Sequence, residues 1–490
     1  MKIFWDKVDN VKHTKNKRNS VKHTKNETGI IIAVILLVAL IILFYALHQS
    51  SSAMIKSNTN TTLQSTTEPP VHQYDLTPLH TYFVNITIPQ INISVGQAIY
   101  ATPTIYKGSL LVSTMGNETD LNNSRYDRTY GELIRINLST GKIVWRTKFP
   151  DQIMSQPITV GNEIIVAMGN NAEVPPQYYN NYDGMYAVDF NTGNIIWNIT
   201  TDITNMPTPT YYKGTIVEPN EGQVMLINAT TGAYKKVIQT FLPDTLSSPA
   251  VINGTAYFGT CEASVYGFNA SNFEQKHVQT DCNFFALNIT NGSIIWSTKF
   301  PYAGGGLNDV SPAYWKGEMI TGYLFESDYT DPVMVAMNAT NGKILWEFNT
   351  ENATNVTEPK IAPCILYGYN QNAISPITVV NGTAYLDSNY LGELVAVNAT
   401  TGKYLWAIET RQTESNPNTF GNGKYLIIAN DWGNMFIINS TSGKVMNTFC
   451  TYVPHLENEV VVTRNSAILA GMNGDIVSYP LDQLLNITTG

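Results

Sequence analysis

The chain is short of charge. Only 14% of its 490 residues are Asp, Glu, Lys or Arg, against roughly a quarter in ordinary soluble domains. Cysteine and histidine are also scarce, at four and seven residues. The cysteines make no Cys-x-x-Cys pair, no haem-attachment motif and no zinc-type spacing with histidine, which excludes metal and redox sites of those kinds. No nucleophile–base constellation stands out. The glycine-rich "YAGGGLND" at 302–309 lacks the Lys-Ser/Thr ending of a phosphate loop, so it is read as a turn. Amphipathic helical stretches are missing after the first fifty residues, which excludes a helical bundle.

Asn, Thr, Ser and Tyr fill the gap left by charge. A surface that is polar yet hardly ionised suits an acidic or glycosylated exterior. The charge that exists is split. Residues 1–28 hold eight cations against three acids, a surplus of five, and the formal total is −9, so the remainder carries −14. Nucleic-acid binding would need a basic footprint, and no nucleic-acid partner is expected. The basic head is read as a cytoplasmic tail.

One long apolar run is present. "GIIIAVILLVALIILFYAL", 29–47, has no charge. Nineteen residues at roughly 1.5 Å each span about 28 Å, close to a bilayer core. We expect an uncleaved transmembrane helix with the Lys-rich side inside and the rest outside. The competing reading is a signal peptide cut after "SSA" at Ala53. Residues 48–79, rich in Ser, Thr and Pro, read as a stalk. Residues 80–490 remain for one large domain.

That domain repeats a phrase. "RINLSTGKIVW" ends at Trp145, "AVDFNTGNIIW" at Trp197, "ALNITNGSIIW" at Trp296, "AMNATNGKILW" at Trp346 and "AVNATTGKYLW" at Trp406. Two weaker copies end at Lys236 and Asn447. A second phrase precedes each: a proline, then a central glycine, then an apolar run, as in "SPAVINGTAYFG" from Ser248. Each unit reads as four short strands. The proline opens the innermost strand, where its missing donor is tolerated. Glycine marks the hairpins. A period of roughly 35–55 residues indicates an array, and four-stranded units of that size close into a propeller. Eight units are expected. The last lacks a fourth strand, and a surplus strand at 80–91 is expected to complete it.

The repeats resemble the pyrroloquinoline-quinone-type (PQQ-like) propeller repeat, over about 98–480. The resemblance implies an all-β, eight-bladed fold in which Trp145, Trp197, Trp296, Trp346 and Trp406 dock between blades. Where that repeat has Asp before the turn, only Asp189 keeps it. Asn137, Asn228, Asn288, Asn338, Asn398 and Asn439 replace it. Asn can still cap the turn, with no charge to lose in acid. Each of the six is also a sequon. Other glycosylation candidates are Asn60, Asn85, Asn92, Asn117, Asn122, Asn198, Asn253, Asn269, Asn352, Asn355 and Asn381.

The insertions all fall on one side, between second and third strands or between blades. A site is expected on that elaborated face. Tyr126, Tyr130, Tyr178, Tyr179, Tyr182 and Asp183 are the candidate ligand or partner surface, with loop tyrosines packed on their own blades as the plain alternative. Glu326, Asp328 and Asp331 are weak cation-ligand candidates without a calcium-motif spacing. An oxidising exterior and an even count suggest the disulfides Cys261–Cys282 and Cys364–Cys450.

The expected function is a membrane-anchored extracellular propeller that binds or scaffolds surface proteins or glycans, with no recognisable catalytic site and no cofactor. Composition suggests a thermoacidophilic archaeon. The alternative implied by the resemblance is a quinoprotein dehydrogenase using PQQ and calcium. A hydrolase or lyase with its site in the insertions is a third reading.

Overall fold

The computed structural model describes residues 77–486, apart from 78, 117–129, 170–181, 202–205, 221, 241–246, 262–280, 302, 308, 326–330, 360–363, 365–373, 389–390, 412–414 and 455–457. Eight antiparallel sheets follow one another, at 104–148, 158–200, 210–239, 250–300, 303–349, 378–409, 418–450 and 461–480. They are blades 1 to 8 of a propeller. Blade 5 carries one additional strand, Ala303–Gly305, beside Glu318–Phe325. In blade 1 the second and third strands are mostly buried, while the fourth is largely exposed; blade 6 departs from this, its fourth strand Tyr404–Glu409 being half buried. Both faces of a blade are covered by neighbours, so these strands are continuous apolar runs rather than alternating ones.

Short hydrogen bonds between blade connections stitch the inner ring. The Gln156 amide donates to Thr208 Oγ1, the Thr208 amide to Ser248 Oγ and the Ser248 amide to Ser311 Oγ. Across the closure the Glu459 amide donates to Thr102 Oγ1. Thr102, Gln156, Thr208, Ser248 and Ser311 each precede a proline, so the residue that begins the repeat also links it to the next. The innermost strands start just after those prolines, at Thr104, Ile158, Thr210, Ala250 and Ala313.

Closure uses both chain ends, as expected, with a shift. Asn92–Ser94 is the fourth strand of blade 8, antiparallel to Asp475–Pro480. It lies just beyond the 80–91 stretch. That stretch instead lines the inside of the ring. Phe83–Val84 runs parallel to the innermost strand Val461–Thr463. Leu79 O accepts from the Val379 amide, and His80 Nδ1 meets Ile377 O at 2.8 Å. Asn418 Nδ2 donates to Tyr82 O, while the Tyr82 hydroxyl accepts from the Ile105 amide at 2.6 Å. Residues 79–84 therefore contact the inner strands of blades 6, 7, 8 and 1. Inner edges present unpaired backbone groups, and this segment satisfies some of them.

The tryptophans pin neighbouring blades. Trp145, Trp197, Trp296, Trp346 and Trp406 donate from Nε1 to Phe190, Ala229, Ala339, Ala399 and Ser440 carbonyls, each in the turn of the next blade. The turn glycine lies under the ring. A Cβ on Gly402 would sit 2.6 Å from Trp346, and φ there is +66°, so glycine is needed twice over. Blades 3 and 7 lack the tryptophan and substitute other contacts. Lys236 Nζ donates to Asn291 and Gly292 carbonyls of blade 4. Asn447 Nδ2 donates to Leu484 O in the C-terminal helix Leu481–Asn486.

Both disulfides form. Cys261 and Cys282 are directly opposite in blade 4, closing the insertion between them. Cys364 and Cys450 join although their stretches border different blades. The connection after blade 5 runs along the outside of blade 6, where Thr357 bridges Ile408, and the Cys364 amide then reaches Trp432 O in blade 7. The expected transmembrane helix at 29–47 lies outside the described residues. Among the described residues no helix is long and apolar enough to cross a membrane.

Candidate functional site

The two faces of the ring differ. One holds the inner hairpins and the Thr-Gly turns. Here the six asparagines act as caps: Asn398 Oδ1 accepts from the Thr400 and Thr401 amides, and Asn137 Oδ1 from those of Ser139 and Thr140. Asp189 caps its turn likewise, and those bonds, Thr192's first, hold its carboxyl below the usual range. Glu163 opposes Asp189 in the ladder, and burial followed by the Asp189 charge pushes it up. One acidic turn thus places two carboxyls together; asparagine avoids this elsewhere.

The other face holds the strand ends that flank the insertions, and the buried acids. Glu132 pairs with Arg146 at 2.9 Å. Asp387 accepts from the Thr410 hydroxyl at 3.0 Å. Asp151, Asp183, Glu218, Asp431 and Glu459 are also fully enclosed. Glu218 differs from the rest. Among the described residues neither carboxyl oxygen has a hydrogen-bond partner, and burial raises its pKa well above the usual carboxylate range. Burial therefore favours its neutral form.

Strand register shows how unusual Glu218 is. Val217 opposes Thr210 of the innermost strand. The residue following the corresponding position is Val112, Val166, Phe258, Leu386, Ile428 or Leu469 in six other blades, and Thr321 in blade 5. An acid therefore stands where the fold wants a hydrophobe. Side chains alternate along a strand. Ile216, two residues before, packs with Ile165, Met185 and Ala187 of blade 2, so Glu218 faces blade 2. Asn220, next on the same face and fully buried, lies nearer the elaborated end. Asp183 immediately precedes Gly184–Asp189 of blade 2, in phase with Met185 and Ala187. Its side chain covers Gly169, where a Cβ would come within 2.3 Å of Cγ. Asp183, Glu218 and Asn220 all stand on the strand faces that meet at the junction of blades 2 and 3.

Of the expected site residues, Asp183 belongs to this junction. Tyr182 beside it is 55% exposed. Tyr130 is exposed on blade 1, with Lys148 Nζ 4.2 Å from its ring centroid. Tyr126, Tyr178, Tyr179, Glu326 and Asp328 lie outside the described residues, as does the side chain of Asp331. Among the glycosylation candidates, Asn85, Asn92, Asn198, Asn253, Asn352, Asn355 and Asn381 are exposed, while Asn60, Asn117, Asn122 and Asn269 lie outside the described residues. Glu218 and Asn220 escaped the sequence reading because attention fell on insertions. Aligning second strands would have exposed "TIVEPN" against "EIIVAM" and "TAYFGT".

A family model described as outer membrane protein assembly factor BamB matches residues 101–281 and 277–418. The chain belongs to this family. Its repeats are PQQ-like and its architecture is an eight-bladed propeller. Among solved structures, BamB from Moraxella catarrhalis superposes with a TM-score of 0.54 at 14% identity, covering 81% of this chain and 100% of that one. Quinohemoprotein alcohol dehydrogenase from Comamonas testosteroni gives 0.57 at 11%, covering 86% and 81%. At these identities the likeness is one of fold. Two curated relatives are named tetrathionate hydrolase. That of Acidithiobacillus ferrooxidans is 24% identical over 295 residues, 55% of this chain and 52% of the relative. That of Acidianus ambivalens is 26% identical over 243 residues, 43% and 42%. The chain spans about half the length of the curated relatives it matches.

The described residues offer no cluster of carboxylates to hold calcium beside a quinone. A calcium-bound quinone needs several oxygen ligands in one place. Among the described residues no three His, Cys, Asp or Glu side chains converge on a metal position. The enclosed acids are instead distributed among separate blades.

Proposed function

We propose that this chain is a hydrolase of tetrathionate or a closely related sulfur oxoanion, acting at the elaborated end of the blade 2–blade 3 junction. The observation that carries this reading is Glu218, an enclosed acid that burial pushes toward its neutral form, at a position apolar in six other blades. The two curated relatives supply the substrate class. They are named as enzymes, which leaves the scaffolding expectation without support.

The chemistry suits the arrangement. Tetrathionate is a dianion whose hydrolysis cleaves sulfur–sulfur bonds. Water supplies the oxygen, and departing sulfur gains when a proton is at hand. An ionised carboxylate would repel the dianion, whereas a neutral one can donate. In our reading Glu218 holds that proton. Asn220 and Asp183 lie toward the mouth, where Asn220 can orient substrate and Asp183 can return a proton from solvent. The setting we propose is an acidic exterior, with residues 29–47 as the tether.

The test is turnover. The purified full chain should consume tetrathionate in acid, followed by cyanolysis or ion chromatography. Glu218→Gln keeps shape and neutrality but cannot release a proton. We expect a loss of roughly a hundredfold or more in kcat, with an unchanged circular dichroism spectrum. A wild-type chain that leaves tetrathionate intact would overturn the substrate assignment. A fully active Glu218→Gln would remove Glu218 from the chemistry.

A further inference from the structure

The turn face concentrates positive charge on a chain that is acidic overall. Two-residue hairpins with both residues at positive φ favour Asn-Gly. Blades 4 and 6 follow that rule with Asn253-Gly254 and Asn381-Gly382. Blades 1, 3 and 5 instead place Lys107, Lys213 and Lys316 at φ of 46°, 43° and 45°. Lysine is a poor occupant of that region. All three are exposed, and their ammonium groups lie 4.9, 5.2 and 4.6 Å from the ring centroids of Tyr106, Tyr212 and Trp315. Lys107 Nζ also donates to Gly161 O and Asn162 Oδ1 of blade 2, but stacking alone does not require lysine in that conformation at Lys213 or Lys316.

More cations share the face. Lys142, Lys343, Lys403 and Lys444 each follow the glycine of a Thr-Gly, Asn-Gly or Ser-Gly turn and are exposed. Glu163 and Glu318, the acids at the base of second strands, are both held toward their neutral forms, chiefly by burial. An apolar rim borders the lysines. A bulge in the fourth strand turns two successive residues outward. Ile143 and Val144 are 38% and 46% exposed, and Ile344 and Leu345 36% and 44%. Blades 2 and 4 repeat the pattern with Ile195–Ile196 and Ile294–Ile295.

We infer that the turn face is a docking surface for an anionic lipid bilayer. Lysines on the flat of the ring meet headgroup charge, and the paired aliphatic residues of the rim enter the interface. A soluble polyanion would use the lysines but not the apolar rim, so the combination favours lipid. The inference is independent of the hydrolase reading.

The experiment uses the full chain reconstituted into vesicles of neutral phosphatidylcholine, with or without 30% phosphatidylglycerol, each carrying a trace of dansyl lipid. Energy transfer from tryptophan reports how closely the turn face approaches, because the blade tryptophans lie beneath its turns. Transfer should be high only on anionic vesicles and should fall with salt. The triple variant Lys107→Asn, Lys213→Asn, Lys316→Asn suits the turns sterically. At about 1 kcal/mol per lysine near an anionic surface, it should lower the ratio of docked to undocked chains, read from the transfer efficiency, by roughly a hundredfold. Ile344→Ser with Leu345→Ser should weaken approach without altering its salt dependence. Equal transfer on neutral and anionic lipid, or an unaffected triple variant, overturns the inference. Lysine-dependent binding of dextran sulfate with no approach to vesicles would assign the face to a soluble polyanion and also overturn it.

Discussion

The two faces of one ring obey different rules. On the turn face a single phrase recurs, and each part has a local duty: asparagine caps, glycine turns, tryptophan pins. On the elaborated face the blades diverge, and the residues of interest gain meaning only from neighbours distant in sequence. Repetition marks residues that serve the fold, whereas a departure from repetition marks a residue that serves something else. Glu218 is such a departure. Lysine in a hairpin built for asparagine is another, and it shows that even the regular face carries more than structure.

The comparison can be broken most forcefully at the pins. Trp346→Ala should cost about 3–5 kcal/mol, measured by chemical unfolding. Lys236→Ala, at the corresponding place in blade 3, should cost under about 1 kcal/mol, because an exposed lysine buries far less apolar area. Equal losses would show that the carbonyl contacts, rather than the ring, hold the blades together.

His80 tests the segment that lines the ring. Burial lowers its pKa from 6.5 to about 4. Its contribution is complete above pH 6.5 and is lost as pH falls toward 4, by roughly 3 kcal/mol. His80→Asn keeps a donor for Ile377 O and tolerates the positive φ of 50°. Its melting temperature should therefore decline less than wild type between pH 7 and pH 4.

Glu218 has the opposite sign. Its folded pKa is raised, so its neutral form is without penalty below about pH 4.5 and stability declines as pH rises beyond that. Glu218→Gln and wild type should melt together at pH 4, with the variant melting higher at pH 8. A variant that melts lower throughout would mean the site holds something other than a neutral acid. A cap should give a small effect as well. Asn398→Ala should cost about 1 kcal/mol, and Asn398→Asp should be near neutral at pH 7 but lose stability in strong acid.

Much of the turn face was legible in advance. The Trp-terminated phrases, the asparagine caps and the count of eight units follow from local chemistry and spacing. The closing strand was misplaced by a few residues, because 80–91 and 92–94 both look like strands and only the ring decides which pairs at the edge. The Cys364–Cys450 bond was legible from an even cysteine count but not from blade order. Its physical route is the connection that runs outside blade 6. The tyrosine-rich insertions drew attention away from Glu218, since a lone acid in a short strand has no local signature.

By itself, the amino-acid sequence determined the repeat, the strand-turn-strand pattern, the caps and the low-charge polar surface. Those depend on residues within a few positions of one another. The tertiary structure alone decided that an acid in blade 3 faces blade 2 with no hydrogen-bond partner among the described residues, that residues 79–84 line the inner ring, and that scattered lysines share one face. Each of these depends on which surfaces meet when eight similar units close into a circle. Similar local sequences cannot encode the difference until the closed ring surrounds them with different neighbours.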